Sequence, residues 1–164
     1  VSDFANHAMP IIRAKHAEAT FAIVGRNPTQ AVSDLSALPG VQVTGAVDDV
    51  RTWLGAADVV VAPLRIARGI QNKVLEAMAM AKPVVASPAA AEGINAKSGV
   101  HFFVEADVRA EGERVCALLA DTAQALAIGR SARAHVMQHY GWEAQLAPLD
   151  ALMGFDTSAA EAAE

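Results

Sequence analysis

The 164-residue sequence is poor in several things, and each shortage narrows what it can be. It has one cysteine, Cys116, so no internal disulfide can form, and the chain suits a reducing compartment. We expect Cys116 to be a small buried apolar side chain on a helix. Aromatic residues make up 5 %, too few for a base-stacking platform on single-stranded nucleic acid. Positive charge is in deficit, with 13 Lys and Arg against 18 Asp and Glu and a net charge of −5. That balance argues against a nucleic-acid or anionic-membrane surface. No apolar run approaches the ~20 residues that span a bilayer, and no stretch has the pattern of a secretory signal. Internal repeats and low-complexity linkers are missing too, and the length suits one domain. There is no initiating Met, and the opening "VSDFANHAMPIIRAKHAEA" already has a helical pattern, so we expect a segment of a longer protein. The small, acidic end "DTSAAEAAE" is expected to be a frayed tail over 155–164.

What is present is apolar and ordered: 53 % of residues are hydrophobic, many of them Ala and Val. Short β-branched runs alternate with longer amphipathic ones. "TFAIVG" (20–25), "VQVTG" (41–45), "ADVVVAP" (57–63), "PVVAS" (83–87) and "VHFFV" (100–104) are predicted strands. In three of them "AIV", "VVVA" and "VVA" are apolar on both faces, as buried parallel strands are. Helices are predicted at about 3–17, 29–37, 48–56, 70–82, 106–120, 122–139 and 142–153. The alternation predicts an α/β fold with a doubly wound parallel sheet flanked by helices. Ligands of such sheets bind beyond the carboxyl ends of the strands.

One helix start stands out. "RIARGIQNKVLEAMAMAKPVVAS" (65–87) gathers cations in an acidic protein and offers no Ser, Thr, Asp or Asn where a cap belongs. Ile70, Val74, Ala77, Met78 and Ala81 form one predicted apolar stripe. Asn72, Lys73 and Glu76 share a polar face, as a solvated surface with a local ion pair or as part of a binding site. In the second case Gly69 permits close approach of an anion, and free N–H groups of the first turn point at it. Arg65, Arg68 and Lys73 add positive charge, and Glu76 can accept hydrogen bonds from hydroxyls. Donors, cations and an acceptor together suit a sugar diphosphate or nucleotide better than bare phosphate.

The segment "GIQNKVLEAMAMAKPVVAS" resembles the signature of retaining, nucleotide-sugar-dependent glycosyltransferases of the GT-B type. The resemblance extends over "FAIVG", "VTGAVDDV", "WLGAADVVVAPL" and "GWEAQL", and is nearest to bacterial exopolysaccharide sugar transferases. It implies that 1–154 is a Rossmann-like donor-binding domain, one half of a GT-B fold, with an N-terminal acceptor domain and the domain's first strand lying outside the sequence. It implies a UDP-, GDP- or ADP-sugar donor, a sugar or lipid-linked acceptor held by the other domain, metal-independent transfer without a cofactor, and a cytoplasmic enzyme that can sit at the inner membrane face.

By the same resemblance Glu76 contacts the ribose, and the main-chain N–H groups of Gly69, Ile70 and Gln71 face the diphosphate. Lys73 neutralises phosphate, with Asn72 beside it on the same face. The family's first motif Glu would fall at position 68, where this chain has Arg68. Arg68 and Lys73 are therefore the candidate stabilisers of the diphosphate, and no catalytic residue is assigned. Gly25 and Arg26 match the loop after the first strand, and Ala46 and Val47 match the segment framing the base. Asp48 and Asp49 are expected to cap the next helix. Glu92 and Gly93 resemble a loop near the donor, or else serve as a cap or exposed turn. The five histidines show no metal-ligand spacing, so no metal site is expected. A non-catalytic nucleotide-binding module and a GT-B-like epimerase half are the other readings left open by the sequence.

Overall fold

In the computed structural model, residues 1–141 and Leu146 are described, and the five predicted strands are present. They are β1 (Phe21–Val24), β2 (Val41–Gly45), β3 (Val60–Ala62), β4 (Val84–Ala86) and β5 (Phe103–Val104). The chain opens with a π-helical turn, Phe4–Ala8, that runs into α1 (Met9–Lys15). Pro10 explains the widened turn, because it lacks an N–H and its ring crowds the carbonyl four residues back. After β1 come α2 (Gln30–Ser33) and a 3₁₀ turn, Asp34–Ala37, and α3 (Val50–Ala56) follows β2. Then α4 (Asn72–Ala79) lies between β3 and β4, and α5 (Pro88–Ala91) follows β4. Last come α6 (Val108–Ala120) and α7 (Thr122–Tyr140). The predicted helix at 142–153 and the tail lie outside the described residues, apart from Leu146.

All strand pairs are parallel, as the alternation predicts, but they form two ladders instead of one: β1 with β2, and β3–β4–β5. Within the wider ladder Val60, Val61 and Ala62 face Val84, Val85 and Ala86. Only β4 is buried along its whole length. Its alternating side chains serve two layers, as a strand covered on both faces must. Val85 joins Phe4, Ala8, Ile12, Val115 and Leu118 from the opening helix and α6. Val84 and Ala86 join Val74, Ala77 and Met78 of α4 with Ala132 and Val136 of α7.

The expectation that the apolar runs of β1 and β3 are likewise buried on both faces is corrected. Both strands are only partly buried, apart from Ala62. The reason is topological: among the described residues β1 pairs only with β2, and β3 only with β4, so each keeps one unpaired edge. A cavity of about 590 Å³ opens at the amino ends, lined by His16 and Ala19 before β1, Ala57 and Asp58 before β3, and Leu118 and Leu119 of α6.

The helices also refine the sequence reading. α4 is shorter than predicted and begins at Asn72, so Ile70 leaves the apolar stripe and is 49 % exposed. α4 ends in a Schellman motif: Lys82 N–H donates to the Ala77 carbonyl at 3.0 Å, and Ala81 N–H donates to that of Met78 at 2.9 Å. Ala81 fills the left-handed position at φ 57°, where glycine is preferred. α7 crosses there with Gly129 against the Ala81 carbonyl, an approach that leaves no room for a side chain.

Candidate functional site

The candidate donor-site residues lie in the segments that follow the carboxyl ends of the strands. β3 leads through Pro63 and Leu64 into the segment before α4. The Ser87 hydroxyl, just after β4, donates to the Leu64 carbonyl at 2.6 Å and accepts from the Ala90 N–H at 3.2 Å. One side chain thus ties the end of β3 to the start of α5. The Ser-Pro pair at 87–88 carried this signal in the sequence, as an N-cap followed by proline at the first helical position.

No side chain caps α4. Its N-cap is Gln71, whose side-chain amide turns backward and donates to the carbonyls of Gly69 at 3.1 Å and Arg68 at 3.3 Å. The N–H groups of Val74 and Leu75 both turn to the Gln71 carbonyl, at 2.9 and 3.3 Å. This leaves the N–H groups of Asn72 and Lys73 without a protein acceptor among the described residues. They carry the positive end of the α4 dipole. Gly69 adopts φ 65° and nothing lies within 4 Å of the place a Cβ would take, so the ground above this turn is open.

Around this helix start, Arg68, Lys73 and Glu76 are exposed, and none forms an ion pair among the described residues. The local pairs considered from the sequence, Lys73 or Asn72 with Glu76, are therefore not made. Arg65 differs from its neighbours: it pairs with Asp3 at the start of the opening helix. The 93 turn is brought against the same loop. Gly93, at φ 81°, stands where a Cβ would lie 3.7 Å from atoms of Gly69 and Ile70.

Gly25, Arg26, Ala46 and Val47 belong to the other ladder. Gly25 N–H donates to the Gly45 carbonyl at 3.3 Å, so the loops after β1 and β2 adjoin. Gly25, Arg26 and Ala46 are exposed and Val47 is half-buried. No hydrogen bond or ion pair among the described residues joins this group to the start of α4. Of the two aspartates, only Asp49 caps α3, accepting from Arg51 N–H at 2.8 Å. The side-chain hydrogen bond from Arg51 holds its carboxyl below the usual range.

A second cavity, about 490 Å³, lies between Pro63–Arg65, Ser87–Ala89 and Ala106–Val108 at the ends of β3, β4 and β5. The Glu111 side chain lines it at 4 % exposure. Burial pushes this carboxyl up to about 7, and the nearby carboxylates of Asp107, Glu105 and Asp3 push the same way. Glu111 falls in register with Val108, Val115 and Leu118 on the apolar face of α6, whereas the exposed Glu113 does not, and that spacing was the available sequence signal for it.

The profile of the glycosyl transferases group 1 family matches residues 2–121, most of the chain. The chain belongs to the glycosyl transferases group 1 family. No curated protein sequence matches it. Among solved structures, HepE from Anabaena, in complex with UDP and glucose, is 20 % identical with a TM-score of 0.69, over 89 % of this chain and 44 % of that one. The C-terminal domain of LpcC from Francisella tularensis is 18 % identical with a TM-score of 0.72, over 86 % of this chain and 79 % of that one. TarM from S. aureus, in a complex that contains UDP, is 18 % identical with a TM-score of 0.75, over 92 % and 32 %. The chain therefore spans less than half the length of HepE, and the likeness to these structures is one of fold. Among its described residues no helix is long and apolar enough to cross a membrane. No group of three or more His, Cys, Asp or Glu side chains among them is placed to hold a metal ion.

Proposed function

We propose that this chain is the donor-binding half of a GT-B enzyme that transfers a sugar from a UDP-, GDP- or ADP-sugar with retention and without a metal ion. The observation that carries this reading is the uncapped start of α4, with unpartnered N–H groups at Asn72 and Lys73 beside the free Arg68, Lys73 and Glu76. As the bond from the anomeric carbon to the diphosphate breaks, charge builds on the departing phosphate oxygen. Fixed N–H donors and the two cations stabilise that charge without reorganising. The N–H groups of Gly69, Ile70 and Gln71 extend the same cradle. Glu76, one turn deeper, accepts from the ribose hydroxyls and orients the nucleotide. Gly25 and Arg26 approach it from the other ladder, while Ala46 and Val47 frame the base. The complexes of HepE and TarM with UDP favour a uridine nucleotide as the first candidate.

The slot between β1 and β3 receives, on this proposal, a further parallel strand of the same domain, and a separate N-terminal domain presents a sugar or lipid-linked acceptor. The product belongs to exopolysaccharide or cell-surface glycan synthesis in a bacterial cytoplasm, at the inner membrane face. Calorimetry of UDP, GDP and ADP tests the core of the proposal. One of them binds weakly, and Glu76→Ala or Lys73→Ala lowers its affinity about tenfold, since a hydrogen bond to a charged group contributes roughly 1.5–3 kcal/mol. No binding of any nucleotide, or indifference to both substitutions, overturns it. The chain alone shows no transfer, and turnover of any nucleotide sugar by it would sink the division of labour between two domains.

A further inference from the structure

Three of the five histidines, spread through the sequence, meet at one place. The rings of His101 and His135 stack with centroids 4.1 Å apart, and the His139 ring lies 4.4 Å from that of His135. His101 belongs to the segment between α5 and β5, whereas His135 and His139 are one turn apart near the end of α7. The cluster fastens that segment to the helix. His135 Nε2 donates to the Asn95 carbonyl, and the Tyr140 hydroxyl accepts from the Asn95 N–H at 2.7 Å. The Lys97 N–H donates to His101 Nδ1 at 3.0 Å, which requires a lone pair on that nitrogen. Nδ1 of His101 and Nε2 of His135 are thus turned to backbone groups, and these two rings lie nearly face to face.

We propose that this histidine stack is a proton-sensitive latch, holding the 93–101 segment on α7 at neutral pH and releasing it in acid. Protonation of His101 puts a hydrogen on Nδ1 and destroys its bond with Lys97 N–H. Among the described residues, the groups that act on His101 oppose a charge there. Lys97 acts on it from its own segment, and His135 and His139 act from α7. The Tyr140 phenol also meets the segment, at the Asn95 N–H. A charge on His101 is opposed by any charge on the His135 ring stacked 4.1 Å away. Burial, then those three neighbours, hold the His101 imidazole below the ordinary histidine range. The neutral ring is therefore the native one. The latch is intact above about pH 6.5, the ordinary histidine value, and fails as pH falls below it.

The segment reaches the donor loop: Gly93, two residues before Asn95, packs on Gly69 and Ile70. Release consequently loosens the turn that precedes α4, which makes proton uptake and ligand binding antagonistic. This last link rests on the donor-site proposal above; the latch itself does not.

Hydrogen exchange of the full chain, corrected for intrinsic rates, reads the latch directly. Protection at Asn95, Lys97 and His101 should fall at least tenfold between about pH 7.5 and about pH 5.5 while α6 stays protected. His101→Asn retains an acceptor for Lys97 N–H without titrating and should flatten that profile. His135→Phe keeps a ring on the stack without a charge and should weaken it, so a folding defect in one variant leaves the other. UDP affinity should drop about tenfold over the same range and hold steady in His101→Asn. If UDP binds at no pH while protection is still lost in acid, the latch stands and the donor reading falls. A native profile in both variants, or protection that is flat with pH, overturns the latch. So does zinc at neutral pH raising protection of the segment, which would make the cluster a metal site.

Discussion

A methyl group added to Gly129 sets two elementary effects of helices against each other. Gly129 is inside α7, and on helix propensity alone alanine there should stabilise the protein by about 1 kcal/mol. The packing predicts the opposite. A Cβ at this position would lie 2.0 Å from the carbonyl oxygen of Ala81 and 2.8 Å from its carbon. Those are backbone atoms at the end of α4, and the hydrogen bonds from Ala81 and Lys82 to Met78 and Ala77 hold them in place. Relief requires α7 to lift off α4 or the Schellman motif to open. Overpacking commonly costs about 1–3 kcal/mol, and contact with fixed backbone belongs at the upper end or beyond. Gly129→Ala should therefore lose about 2 kcal/mol net, lowering the melting temperature by roughly 4–8 °C for a chain of this size. Urea and thermal unfolding check it, with an unchanged denaturant slope showing that the same transition is compared. A variant as stable as the native chain, or more so, would refute the claim that this crossing sets the distance between α4 and α7.

Three further outcomes follow from the same geometry. Ala81→Gly should stabilise by about 0.5–1 kcal/mol, because it removes the strain of φ 57° at the helix end; a loss of stability counts against that account. Ser87→Ala should cost about 1–2 kcal/mol by removing both the α5 cap and the tie to Leu64, and an unchanged urea midpoint would show the tie to be idle. Glu111 has a folded value of about 7 against 4.5, so the fold favours its protonated form. Its contribution is present below about pH 4.5 and is lost as pH rises through about 7, a swing of up to about 3 kcal/mol. Glu111→Gln should accordingly raise the urea midpoint at pH ~8 and leave it nearly unchanged at pH ~4.5, and equal shifts at both would refute the burial argument.

The strands and the main helices were legible because parallel α/β proteins write them in blunt patterns: "VVVA" and "PVVAS" have few other interpretations. The bare start of α4 was legible too, since the absence of a capping residue is itself a sequence signal. Other features depend on contacts between distant residues. Ile70 has the right spacing for the apolar stripe, yet the helix begins after it, since the Gln71 side chain holds the carbonyls of Arg68 and Gly69 in a loop. Arg65 looks equivalent to Arg68 in the sequence, and only Asp3, 62 positions earlier, tells them apart. The meeting of His101 with His135 could not be read from spacing, because the segment carrying His101 folds back onto a helix that follows it by two elements. The break between β1 and β3 could not be read from the strands themselves, since apolar strands do not announce how many neighbours they have, although the family resemblance implies a first strand outside the sequence.

That break has a bearing on how the chain behaves in company. Proteins protect exposed strand edges with lysine, proline, bulges or short lengths of polar residues. "FAIV" in β1 carries no charge and no proline, and "VVA" in β3 is all small and apolar. Both are written as interior strands and both keep an edge unpaired among the described residues, guarded only by their short length and by the irregularity at Ile23–Val24 in β1. Solubility of the protein is thus tied to whatever fills that slot, and at high concentration the nearest candidate is another copy of itself.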